Sequence, residues 1–134
     1  MSNYFENLLG EFILRAGSLE KPAVYLALTS GVPTDAHTGA TIPELASAGS
    51  YARLAASGTA FWDALSDGAT SNTSEAAFAA ATADWGIVSG VVFLDSSTIG
   101  AGNVLFHGTL TTPRTVLNGD TFKFNANNLD IQFL

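Results

Sequence analysis

With 134 residues, the chain has room for one compact domain, residues 1–134, and too little for two well-cored ones. Hydrophobic residues make up 47% and charged residues only 13%, which argues against a disordered chain, and its apolar stretches break well before the ~20 residues of a membrane helix. Five basic residues against twelve acidic ones give a formal charge of −7. The five cations (Arg15, Lys21, Arg53, Arg114 and Lys123) are scattered singly, so neither nucleic acid nor an anionic membrane is expected as a partner. The absence of cysteine excludes thiol catalysis, zinc thiolates and disulfides.

The chain opens on an amphipathic helix, about residues 3–16. Phe5, Leu8, Leu9, Phe12, Ile13 and Ala16 recur at helical spacing and form one stripe. Asn3 is the expected N-cap, with Glu6 as its capping-box partner, and Gly17 the expected stop. Residues 1–16 lack a basic start and a small-residue cleavage site, so no secretory signal is expected. The stripe must be covered, either by the chain's own sheet or by another subunit.

Beside Pro22 the period changes to two. Val24, Leu26 and Leu28 alternate with Ala23, Tyr25, Ala27 and Thr29, as in a half-buried strand. Residues 30–50 hold two prolines among Gly, Ser and Thr and read as one long loop; connections of that length are usually functional or mobile. Further strands are expected near Tyr51–Ser57, Thr59–Leu65, Ala76–Ala80, Ile87–Leu94, Val104–Leu110, Thr121–Asn125 and Asn128–Leu134. Asp67-Gly68 and Asn118-Gly119 are turn dipeptides, the second expected to close a hairpin between Val116 and Phe122. The fold expected is mainly β: an antiparallel sandwich or barrel of about seven or eight strands with one N-terminal helix.

Little of the sequence points to chemistry. Only His37 and His107 are available as imidazole ligands or bases, and neither has a carboxylate at ligand-pair spacing on a helix. No serine sits in a Gly-x-Ser-x-Gly elbow. A hydrolase would need a pocket where one of the two histidines meets an acid or a serine. Gly100-Ala101-Gly102-Asn103 lacks the third glycine, helix and lysine of a phosphate loop and reads as a turn. Asn72-Thr73-Ser74 fits a glycosylation sequon, which matters only on a secretory route. No catalytic residue, metal or cofactor is therefore expected.

What remains is contact with protein. Phe61 and Trp62 would point to opposite faces of a strand, and Tyr51 and Arg53 to the same face. Arg, Tyr and Trp are the residue types enriched in interface anchors. The alternative is that Trp62 is core and Arg53 pairs with a carboxylate of a neighbouring strand.

The ordered series of these landmarks carries a resemblance. It runs through Tyr25-Leu26-Ala27-Leu28, Pro33-Thr34-Asp35, a loop acid at Glu44, Tyr51-Ala52-Arg53, Trp62, Asn72, Phe78 and Ala81-Thr82-Ala83-Asp84-Trp85-Gly86. It continues through Asp95, Gly102-Asn103, Gly108-Thr109-Leu110, Thr115-Val116, Gly119-Asp120-Thr121-Phe122 and Asn127-Asn128-Leu129-Asp130-Ile131. Over nearly its whole length the chain resembles small virion proteins of tailed bacteriophages described as head-decoration or tail-fibre proteins. The resemblance implies a structural protein without enzymatic activity.

A fibre shaft needs heptads or a repeated β unit, and neither is present. The expectation is therefore a capsid decoration (cement) protein on the outer surface of the head, bound to the major capsid protein across subunit seams. The resemblance also implies a homotrimer. In that reading the loop 30–50, with Pro33 and Asp35, and the N-terminal segment meet the capsid, while Tyr51, Arg53, Phe61 and Trp62 meet sister subunits. The alternative is a tail-tip or fibre-associated module that binds a tail protein or host glycan, with Trp62 and Tyr51 stacking on sugar.

Overall fold

A computed structural model describes residues 1–133. Helix α1 (Asn3–Leu14) precedes eight strands: β1 (Tyr25–Thr29), β2 (Leu54–Ala55), β3 (Ala69–Ser71), β4 (Ala76–Ala77), β5 (Gly86–Leu94), β6 (Val104–Val116), β7 (Lys123–Phe124) and β8 (Asp130–Gln132). All pairings are antiparallel. One sheet has the order β2-β1-β5-β6, and two ribbons pair β3 with β8 and β4 with β7. Among the described residues the fold is mainly β and open, with no closed barrel.

The main core lies between the four-stranded sheet and the ribbons. Leu26, Leu28, Val91 and Phe93 from β1 and β5 meet Ala76, Phe78, Phe122 and Leu129 from the ribbon side. That is the packing of a sandwich. The other face of the sheet is buried too: Ala27, Val92, Leu94 and Val104 gather around Ile42 of the 30–50 segment. Strand β1 is therefore buried on both faces from Leu26 to Thr29, and the half-buried strand expected from its alternation is corrected by the loop that covers it.

That loop is fastened along its length. Ser30 N–H donates to the Pro43 carbonyl and Leu45 N–H to the Leu28 carbonyl, so residues 43–45 continue the edge of β1 beyond β2. Gly39 N–H donates to the Gly102 carbonyl at 2.9 Å. A Cβ at Gly39 would lie 2.0 Å from the Ala101 carbonyl oxygen, so only glycine permits this approach.

Several boundaries differ from the sequence reading. The N-cap of α1 is Ser2, whose Oγ accepts from Phe5 N–H at 3.2 Å, not Asn3. Ser2 is fixed there by a second anchor, its own N–H donating to the Leu105 carbonyl of β6. The helix ends with Arg15 as C-cap, and Gly17 N–H returns to the Glu11 carbonyl. Thr59–Leu65 is not a strand. Gly58 opens a turn whose carbonyl accepts from both Phe61 and Trp62 N–H, and only Trp62 makes a bridge, with Asn72.

Ala69–Ser71 is a strand the sequence reading did not contain, set up by the Asp67-Gly68 turn with both residues at positive φ. β6 runs on past Pro113 to Val116 because it is an edge strand, where a missing donor is tolerated. The Asn118-Gly119 turn forms, but its arms part. Val116 stays with β5, while the Phe122 carbonyl accepts from Phe78 N–H in the ribbon layer.

Candidate functional site

The residues singled out as contact anchors separate into two groups. Tyr51 and Arg53 are turned inward, 4% and 7% exposed. Glu44 receives both. Arg53 Nε donates to its Oε1 at 2.9 Å and Nη2 to its Oε2 at 2.7 Å. The Tyr51 hydroxyl donates to Oε1 at 2.8 Å while accepting from Leu28 N–H at 3.0 Å. Arg53 Nη1 reaches the Ser96 and Ala101 carbonyls at 2.8 and 2.9 Å. Burial pushes the Tyr51 phenol far above its ordinary value; the Leu28 N–H opposes that shift and the Glu44 charge reinforces it. This node locks β1, the 30–50 loop and the β5–β6 turn together and offers no surface to a partner.

Phe61 and Trp62 pack side by side, with ring centroids 4.9 Å apart, rather than on opposite faces. Trp62 is half-buried, its ring 5.5 Å from Phe93 and its Nε1 donating to the Ala56 carbonyl at 2.7 Å. Pro33 is buried, close to Gly90, where an added Cβ would meet its Cδ at 2.8 Å. Asp35 is exposed, and its Oδ1 lies within hydrogen-bond distance of His107 Nε2, at 2.6 Å. His37 faces its own loop, its Nδ1 accepting from Thr34 N–H.

An acid and a histidine thus do meet, at Asp35 and His107, but on the surface at the base of α1, where the Asp35 carbonyl accepts from Asn3 N–H. Neither lines either of the two surface grooves described. Among the described residues no three His, Asp or Glu side chains gather as a metal site would require. Asp95 closes the β5–β6 turn by accepting from Asn103 N–H at 2.6 Å and Asn103 Nδ2 at 3.0 Å. Asn72 of the sequon is fully buried.

The surface that does stand open is apolar and lies where the two ends of the chain meet. Only the first turns of α1 touch the sheet. Phe5 stands edge-on to Phe106 of β6 at 5.2 Å, and Phe106 is edge-on to Phe133 at 5.2 Å. Beyond Leu9 the helix overhangs: no residue of α1 is buried, and Phe12, Ile13 and Leu14 are 47%, 71% and 82% exposed. The stripe on this helix, read as either self-covered or docked on a neighbour, is self-covered at Phe5, Leu8 and Leu9 and bare after them. The contribution of Phe106 and Phe133 was not visible in the sequence, because both sit in ordinary strand alternation and only the tertiary fold brings them to the helix.

A family model described as podophage GP4 fiber I protein gp80 matches residues 1–132. No curated protein matches the chain significantly.

Proposed function

The chain belongs to the podophage GP4 fiber I protein gp80 family, a phage fibre-related structural protein, and from that premise we propose that it is a component of the tail-fibre apparatus acting by protein–protein contact and without catalysis. The observation that carries this reading is the family match over residues 1–132. The description names a fibre protein, and it favours the fibre-associated alternative over head decoration. A compact β fold without heptads or repeats suits a joint or a tip of a fibre better than its shaft.

The bare end of α1 supports the contact role. Covering a large apolar side chain yields roughly 1.5–3 kcal/mol, so Phe12, Ile13 and Leu14 together can anchor a neighbour in the fibre assembly. The two-pronged Glu44–Arg53 ion pair is buried and so is not available to a partner. The proposal keeps protein as the partner, and neither nucleic acid nor membrane.

Electron microscopy of purified particles with an antibody or tag on this chain tests the reading. Label confined to the tail vertex in a few copies supports it. Hundreds of copies spread over the head would replace it with capsid decoration, and label absent from the particle would remove both.

A further inference from the structure

The turn that carries the chain from β6 to β7 is stitched to residues 81–85. Trp85 N–H donates to the Val116 carbonyl at 2.9 Å, Gly119 N–H to the Ala81 carbonyl at 2.7 Å and Ala81 N–H to the Asp120 carbonyl at 2.8 Å. Asn118 N–H donates to Asp84 Oδ1 at 2.8 Å, and Leu117 N–H to Asp120 Oδ2 at 2.9 Å. Residues 117–120 and Asp84 are exposed, so hydrogen bonds and not apolar burial hold the turn in place. Of the two central residues only Gly119 has a positive φ, at 90°, as a type II turn requires.

Asn118 is the one asparagine of the chain followed by glycine. Such a pair is labile, because glycine has no Cβ to hinder attack by its own backbone nitrogen. The Gly119 nitrogen bonds to Asn118 Cγ and closes a cyclic imide. The side-chain nitrogen leaves as ammonia, and the hydrogen lost from Gly119 leaves with it. Water then adds to either imide carbonyl and opens the ring. The product is aspartate or, where the main chain is rerouted through the side chain, isoaspartate. The reaction consumes only water.

We propose that Asn118 is a modification site gated by this stitch: it deamidates only while Gly119 is unfastened from Ala81, and the change is one-way. In the folded chain the attacking nitrogen is the one whose hydrogen is committed to the Ala81 carbonyl. The Asn118 amide is pinned in turn by Asp84, so the turn cannot swing into the ring-closing geometry without opening. The lost ammonia makes the step irreversible. Isoaspartate also lengthens the main chain between residues 118 and 119 by one carbon, so their N–H groups no longer match the spacing of the Asp84 and Ala81 acceptors. Either product sets a further carboxylate beside Asp84 and Asp120, and like charges at close range oppose reclosure.

Incubation of the full chain in mildly alkaline buffer, followed by trypsin digestion and mass spectrometry, tests this. Arg114 and Lys123 bracket the site, so residues 115–123 come away as one peptide. Asn118 is expected to deamidate at least about tenfold more slowly in the folded chain than in the chain unfolded by guanidinium, because local opening limits the reaction. Asp84→Ala, with unchanged far-UV circular dichroism, should react several-fold faster than wild type and raise hydrogen exchange at Gly119 N–H in proportion. Should that variant unfold, the wild type in guanidinium below its unfolding transition replaces it, and deamidation and Gly119 exchange should rise together. Modified chain, separated by its added negative charge, should lose amide protection at Ala81 and Gly119 while β5 keeps its own. Equal rates in folded and unfolded chain overturn the gate, as does a folded Asp84→Ala that reacts no faster than wild type, or deamidation that quickens without Gly119 exchange. Modified chain with Ala81 and Gly119 still protected overturns the one-way step.

Discussion

Glu44 and Arg53 form a two-pronged ion pair inside the protein, at 2.9 and 2.7 Å, with side chains 5% and 0% exposed. Their partners turn the pair into a clamp. Glu44 belongs to the loop that covers one face of the sheet, and Arg53 holds the β5–β6 turn through two carbonyls. Removing one partner strands a charge in a dry site, which costs about 3–5 kcal/mol. Arg53→Met is therefore expected to lower unfolding free energy by about that much, read by urea denaturation with Trp62 and Trp85 as fluorescent reporters. The double variant Glu44→Leu/Arg53→Met should cost less than the sum of the two single variants, because the residues act as one unit.

Tyr51 makes the fold sensitive to alkali. Its phenol is held protonated by burial, whereas in the unfolded chain it ionises near pH 10. The folded protein thus binds the proton more tightly. The stabilisation is fully present below pH ~10 and declines above it, as the unfolded state sheds a proton that the folded state keeps. Urea midpoints measured from pH 8 to 11.5 should fall more steeply for the wild type than for Tyr51→Phe above pH ~10. At pH 8 the variant should be weaker by about 1–3 kcal/mol, because Leu28 N–H loses its acceptor. Parallel slopes would show that Tyr51 does not carry the effect.

The sequence made some of this legible and not the rest, for identifiable reasons. The helix, the buried β5 run and the Asp67-Gly68 turn are local signals: a 3.6 period, a β-branched stretch, and a dipeptide able to hold two positive φ values. The Glu44 clamp is a pairing nine residues apart in sequence, made in three dimensions by a loop whose length read as functional or mobile. Tyr51 and Arg53 carried the residue types of interface anchors, but chemical type says nothing of which way a side chain turns. Ile42 and Leu45 were the overlooked evidence, two aliphatic residues in a Thr/Ser/Gly-rich stretch and both buried. At the helix, the stripe was readable but its overhang was not, because where a helix outruns its sheet depends on the β6 contact at Phe106.

Asn72 is the polar counterpart of the clamp. Completely buried, it uses all its hydrogen-bonding capacity: Nδ2 donates to the Ser74 and Asn125 carbonyls at 2.8 and 3.0 Å, and Oδ1 accepts from Asn128 and Leu129 N–H at 3.1 and 2.9 Å. With the Ser71 hydroxyl, which donates to Asn127 Oδ1 at 3.3 Å, it ties the turn between β7 and β8 back to the end of β3. Asn72→Ala leaves these groups unsatisfied, at about 1–3 kcal/mol for a buried one, and should open residues 125–129 to proteolysis well before global unfolding. Asn72→Asp, which exchanges two donors for a charge facing two carbonyls, should be at least as damaging.

The overhanging end of α1 separates stability from assembly. Ile13 and Leu14 touch little of their own chain, so Ile13→Ser and Leu14→Ser are expected to shift unfolding free energy by no more than about 0.5 kcal/mol. Phe5→Ala removes the ring that seats the helix on Phe106 and should release α1, seen as loss of amide protection confined to residues 3–14. If this end of the helix is the anchor for a neighbour in the fibre, the Ser variants should fold normally yet fall behind wild type in competition for incorporation into particles. Two exposed aliphatic side chains, each worth roughly 1.5–3 kcal/mol when covered, predict at least a tenfold deficit for the double variant, at about 1.4 kcal/mol per factor of ten. Equal incorporation, measured by mass spectrometry of purified particles, would move the anchor elsewhere on the surface.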